Sequence, residues 1–217
     1  MLLRFLKRKL AAVIRHLLKK HWTEADRHIP KYQLQEKHIA HLKAVTDRQK
    51  LLELLPPNAV VAELGVHRGD FSALILQTAS PAKLHLVDTW DRKELLALVE
   101  QKFATEIASQ QVEIHTGLST TVVDDFNDNY FDWVYIDTDH SYATTKAELE
   151  KYSRKMKPAG IMAGHDFITG NWNGSVKYGV IEAVYEFCVQ HDWEIIYLTM
   201  EQREHPSFAL RRKRCHL

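Results

Sequence analysis

The stretch Val60-Val61-Ala62-Glu63-Leu64-Gly65-Val66-His67-Arg68-Gly69-Asp70 constrains the fold more than any other part of the chain. An apolar, β-branched run ends in an acid, and a glycine-punctuated turn follows. Phe71, Leu74 and Ile75 then recur at helical spacing up to Thr78. A second apolar run, Leu84 to Val87, ends in Asp88. Strand, tight turn, helix, strand and carboxylate, in that order, form the first half of a doubly wound α/β unit. Such units bind ligands outside the carboxyl ends of their strands.

The glycine spacing narrows the ligand. Dinucleotide sites use G-x-G-x-x-G, where the turn and a helix N-terminus hold a pyrophosphate. Here the pattern is E-x-G-x-x-x-G, with Glu63 two residues before Gly65 and Gly69 closing the turn. An acid at that place suits a cationic amino group better than a diphosphate. S-adenosylmethionine carries that amino group and no phosphate. Asp88, at the tip of the next strand, can accept two hydrogen bonds from a ribose diol. Trp90 is a candidate for the face of adenine and Ser119 for its edge. The competing reading is an ordinary strand–helix turn with a packing glycine, and Asp88 favours the nucleotide.

With 217 residues the chain suffices for one domain and an appendage. Its 45% hydrophobic and 26% charged residues are those of a soluble globular protein. The net charge of +1 carries no argument for nucleic acid, but its distribution is uneven. Met1 to Trp22 is rich in Lys and Arg without an acid, and Arg211 to Arg214 is a second basic cluster. Cys188 and Cys215 form neither a disulfide framework nor a metal-ligand spacing, so a reducing, cytoplasmic setting is expected. Most of the 13 histidines stand among polar residues, and a scattered surface set is expected.

Residues 1–22 read as a basic amphipathic helix: Leu3, Leu6, Leu10, Val13, Ile14 and Leu17 recur at three- and four-residue steps. Three readings compete for it. It can attach to an anionic membrane surface on the cytoplasmic side, form a homodimer or partner helix, or pack on its own domain. A helix is also expected over 35–55, ended by Pro56-Pro57, so residues 1–57 form a helical N-terminal extension to a domain at 58–217. In that domain seven expected strands (59–64, 83–87, 112–116, 131–136, 161–163, 193–198, 208–211) are interspersed with helices. The alternation argues a mostly parallel sheet covered on both faces. The last two strands are joined by a loop alone, which predicts that the last is antiparallel.

A second constellation lies at two later strand ends. Tyr135-Ile136-Asp137-Thr138-Asp139-His140-Ser141-Tyr142 follows one apolar run, and Gly164-His165-Asp166-Phe167 follows another. Neighbouring strand ends bring Asp137, Asp139, His140, His165 and Asp166 to one crevice. Oxygen donors there suit Mg²⁺ or Mn²⁺, and imidazole suits Mn²⁺ better. Each residue also has a plain structural role open to it: Asp139 or Ser141 can cap the next helix, and His140 can sit in an exposed turn.

These motifs resemble those of class I S-adenosylmethionine-dependent methyltransferases. The resemblance is to a small-molecule O-methyltransferase-like family with Y-I-D-G-D-H-S-Y and G-H-D-Y signatures. Thr138 stands for the usual glycine and Phe167 for the tyrosine. Glu63 to Ser72 and Val87 to Trp90 match the cofactor motifs, and the likeness spans about residues 59–211. It implies a Rossmann-like, doubly wound, seven-stranded sheet with helices on both faces and the last strand antiparallel. It further implies cofactor contacts at Glu63, Gly65, Gly69, Asp88, Trp90, Ser119 and Asp137. It also implies a divalent ion at Asp137 and Asp166 with His165 as third ligand, and His140 as the general base.

The acceptor is expected over the loop 168–175, with Tyr142 and Trp172 as its contacts. Trp172 between Asn171 and Asn173 resembles a sugar-binding surface, so a small molecule or glycan is expected. Nucleic acid is disfavoured, because an N-P-P-Y-type motif is missing from the Asp137 strand end. The lack of G-x-G-x-x-G disfavours an NAD-type oxidoreductase, and intact acids at both strand ends disfavour a non-catalytic module.

Overall fold

The computed structural model describes residues 2–171, 176–201 and 205–213. Helix α1 (Leu2–Asp26) leads the chain, followed by strand β1 (Lys43–Val45) and helix α2 (Arg48–Leu54). The alternating part then runs β2 (Val60–Leu64), α3 (Asp70–Ala79), β3 (Lys83–Asp88), α4 (Lys93–Lys102), α5 (Ala104–Ala108) and β4 (Val112–Thr116). It continues with α6 (Ser119–Val122), β5 (Phe131–Ile136), α7 (Tyr142–Lys155) and β6 (Met156–Gly164). A small hairpin, β7 (Gly170–Asn171) and β8 (Val176–Lys177), precedes α8 (Val180–His191), β9 (Trp193–Thr199) and β10 (Phe208–Arg212).

The main sheet has eight strands among the described residues, in the order β1-β9-β10-β6-β5-β2-β3-β4. From β6 to β4 all neighbours are parallel. β10 lies between β6 and β9 and is antiparallel to both, as its short connection predicts. Side chains alternate across the sheet with the period of two that strands impose. Ala62, Leu64, Val134 and Ile136 face α7 and α8, whereas Val61, Leu84, Leu86, Trp133 and Tyr135 face α2, α3 and α4. Burial of both faces explains why these strands read as continuous apolar runs.

The expectation of seven strands is corrected to eight. The extra strand, β1, falls where a helix was expected over 35–55. There the chain makes a 3₁₀ turn at Glu36–His38, then β1, then α2. Two local causes are visible. The Asp47 side chain accepts the Lys50 N–H at 2.7 Å, an N-cap that starts the helix late. Ahead of it, Ala44 and Val45 pair in parallel with Leu198 and Thr199. Leu51 and Leu52 of α2 are fully buried against the sheet. α4 and α5 are separated at Phe103, whose ring packs against Gly69.

Candidate active site

A cavity of about 710 Å³ opens at the carboxyl ends of β2, β3 and β5. Six of the predicted site residues line it together: Glu63, Gly65, Asp88, Ser119, Asp137 and His140. Gly65 has φ +87°, and a Cβ placed on it would lie 2.0 Å from the Asp137 carbonyl oxygen. The requirement for glycine therefore comes first from the closeness of the β2 and β5 ends, where Asp137 N–H also donates to the Leu64 carbonyl at 2.8 Å. Gly69 (φ +70°) does not line the cavity. A Cβ there would lie 2.7 Å from the Phe103 ring, so its role is helix packing.

Glu63 is 1% exposed, and the Ser72 hydroxyl donates to it. Burial pushes its carboxyl up to about 8, with Asp137 and Asp88 adding to the rise against the Ser72 hydrogen bond. The fold therefore favours a neutral acid here at neutral pH, and a cation beside it would restore the charge. Asp88 organises the turn itself. Its Oδ2 accepts the Val66 and His67 N–H groups, both at 2.8 Å, and its Oδ1 accepts Trp90 N–H at 2.9 Å. Of roughly four acceptor sites on a carboxylate, three are taken by backbone. One remains on Oδ1, so Asp88 is set to take a single hydroxyl rather than both of a diol.

Trp90 lies outside the cavity. It is 5% exposed, has φ +40°, and its Nε1–H donates to the His67 carbonyl at 3.2 Å. Its place among Val66, Val99 and Phe103 on the α3–α4 side makes it a core residue. Ser119 does reach the cavity, but its hydroxyl donates to Glu148, a fully buried acid that Thr138 also holds at 3.0 Å. Burial lifts Glu148 to about 7. Thr138, which replaces the glycine of the resembled motif, thus ties the β5 end to α7.

The second constellation forms one charged network at the rim, where Asp137 and His140 line the cavity and His165 and Asp166 lie behind them. His140 Nε2 is 3.0 Å from Asp166 Oδ2, and its Nδ1 is 4.0 Å from Asp137 Oδ1. His165 Nδ1 stands between the same two acids, at 3.7 Å from Asp137 and 3.6 Å from Asp166. Burial alone would lower His165, but the two carboxylates outweigh it and carry the ring up to about 9. Burial likewise works to raise Asp166, and the histidines around it hold it below the ordinary carboxylate range. His205 Nδ1 donates to the other oxygen of Asp166. His165 is not among the donors grouped closely enough to share an ion. The donors that lie close enough to share an ion are Asp137, His140 and Asp166, within 4.8 Å of one another. Their carboxylate and imidazole chemistry fits a divalent ion of the Mn²⁺ kind.

Tyr142 points away from the cavity: its hydroxyl donates to Glu186 of α8. Trp172 lies outside the described residues. Two contributors have no counterpart in the sequence reading. Arg48 comes from α2, ahead of the resembled region, and brings its guanidinium to the cavity wall 4.9 Å above the Phe71 ring. His205 reaches Asp166 from the loop before β10. Nothing in the spacing of either residue signals the site, because only the closed sheet brings them there.

Residues 62–167 match the family described as "Methyltransferase domain". No curated protein matches the chain. Among solved structures, the fold is similar to a SAM-dependent methyltransferase from Aquifex aeolicus, with TM-score 0.58 and 12% identity, covering 87% of this chain and 97% of that one. It is also similar to the M1A22 tRNA methyltransferase TrmK of B. subtilis, with TM-score 0.57 and 11% identity, covering 78% and 67%. The trans-methyltransferase CalH in complex with SAH gives TM-score 0.57 and 13% identity, covering 76% of this chain. The chain spans about half of CalH, 55% of its length. At these identities the likeness is one of fold. The matched segment, residues 62–167, lies within the part of the chain that shares this fold with these methyltransferases.

Proposed function

We propose that the protein transfers the methyl group of S-adenosylmethionine to a hydroxyl of a small molecule or glycan, with His140 as general base. The observation that carries this reading is His140, on the wall of the cavity that Glu63 and Asp88 also line, with its Nε2 held 3.0 Å from the buried Asp166. Glu63 faces the amino group of the cofactor and Asp88 one ribose hydroxyl. The acceptor oxygen attacks the methyl carbon, the carbon–sulfur bond breaks, and sulfur keeps the electron pair. The acceptor proton passes to His140, whose other nitrogen is held by Asp166, an arrangement that fixes ring and tautomer as in other His–Asp pairs. Alignment of oxygen, methyl and sulfur supplies much of the remaining acceleration.

A second reading rests on the Asp137, His140 and Asp166 donors. A divalent ion held there would lower the pKa of the acceptor hydroxyl by coordination. His140 cannot then act as a free base. The acceptor is not read as nucleic acid, and the sugar reading of Trp172 rests on sequence alone. The test is transfer of labelled methyl to a panel of phenolic, glycan and lipid-linked acceptors, with and without chelator. The base reading predicts activity that survives chelation and falls by about 10²–10⁴-fold in turnover in His140→Ala. Loss of activity on chelation, restored by Mn²⁺, selects the metal reading. Unchanged turnover in His140→Ala contradicts both.

A further inference from the structure

The face of β3 and β4 turned toward Phe126 and Tyr130 carries a second set of metal-ligating side chains, separate from the cavity. His85 of β3 and Glu113 of β4 are register partners, and His115 follows Glu113 by two residues on the same face. His85 Nδ1 and His115 Nε2 are 2.9 Å apart. Glu113 Oε1 lies 3.6 Å from His115 Nε2, and Glu113 Oε2 lies 4.0 Å from His85 Nδ1. We propose that His85 Nδ1, His115 Nε2 and Glu113 bind a divalent first-row transition ion of the Zn²⁺ class, which pins the edge strand β4 to β3.

Three features support the assignment. The donor set is two imidazoles and one carboxylate on one face, a chemistry that suits Zn²⁺ and its neighbours rather than Mg²⁺. The His85 ring is oriented from outside the set: its other nitrogen is 3.0 Å from the Tyr130 hydroxyl, and Phe126 and Phe131 meet it edge-on. An outer hydrogen bond of this kind fixes tautomer and ring plane in metal sites. Glu113 keeps Lys83 on Oε2 at 2.7 Å and turns Oε1 to the rings. It is half-exposed, so the ion is reached from solvent and keeps a position for water.

The inference does not rest on the methyltransferase reading. The test is titration of the metal-free full chain with Co²⁺, followed by absorption, and with Zn²⁺, followed by calorimetry. His140→Ala removes a donor of the rim set and leaves this one intact. In that background one Co²⁺ per chain is expected. Adding Tyr130→Phe should weaken binding by about 10–100-fold, and adding His115→Ala should abolish it. Glu113→Gln, at a half-exposed position, gives the same answer should His115→Ala fail to fold. Absence of Co²⁺ binding in the His140→Ala chain overturns the proposal, as does unchanged affinity on removing His115 or Glu113.

Discussion

Glu63 shows how one side chain can link folding to ligand. Its folded pKa, about 8, stands above the ordinary value of 4.5 because burial disfavours the charge. The protonated form is therefore the one the fold prefers. Its contribution to stability is full below about pH 4.5 and is lost as pH rises through about 8. The ligand-free chain should accordingly melt at lower temperature as pH goes from about 5 to about 8.5, with a shallower fall in Glu63→Gln. Glu148, lifted to about 7, tilts both curves the same way, so the comparison between the two chains is the informative one. Identical slopes would remove the charge argument for Glu63. The residues whose place at the cavity was legible in the sequence are those set by a strand end or the turn just after it: Glu63 and Asp88 on β2 and β3, Asp137 and His140 after β5. Those that were not legible owe their role to distant packing. Arg48 enters from α2, His205 from a loop, and Trp90 turns into the core although it follows a strand-tip acid. His140 and His165 meet as their strand ends predict, but His205 joining them and the pairing of His85 with His115 were not read from the sequence. Register between strands decides such groups, and no single stretch of sequence records it.

Elements with a strong period were read correctly and those set by pairing were not. The parallel strands and the antiparallel β10 followed from apolar runs and connection length. β1 did not, because Lys43–Val45 is short and its only reason to be a strand is the open edge of β9. Helix α1 spans Leu2–Asp26, and no described helix is long and apolar enough to cross a membrane. Its C-terminal end is tied to the domain: Asp26 meets Lys31 at 2.7 Å and Lys177 at 3.3 Å, and Trp22 packs near Gly170. Further up, Leu10, Val13, Ile14 and Leu17 are 47–62% exposed, so its own domain does not cover that part of the stripe. Of the three readings for this helix, attachment to an anionic surface combines that stripe with the exposed Lys7, Lys9, Arg15 and Lys19. The full chain should float with anionic liposomes at low salt, and a chain starting near Pro30 should not. Flotation should weaken as the Debye length falls below about 8 Å. Failure of the full chain to float contradicts attachment. Halving of the particle mass on removal of the helix assigns the stripe to a dimer.

The molecule joins two half-sites across one sheet. β2 and β3 bring Glu63 and Asp88, the loops after β5 and β6 bring His140 and Asp166, and the cavity lies at the ends of β2, β3 and β5; in the proposed function the first pair faces the cofactor and the second serves the acceptor. The approach of Gly65 to Asp137 holds the two halves together, and the family match over residues 62–167 spans both. The acceptor is the part that the fold does not specify. The central claim is that this cavity is the cofactor site, and calorimetric titration of the full chain with SAH tests it most directly. One site per chain is predicted. In Asp88→Ala, checked for retained folding because Asp88 also holds three backbone N–H groups, binding should weaken by about 1.5–3 kcal/mol, or roughly 10–150-fold. Absence of SAH binding to the intact chain, or equal affinity in a folded Asp88→Ala chain, would contradict the account.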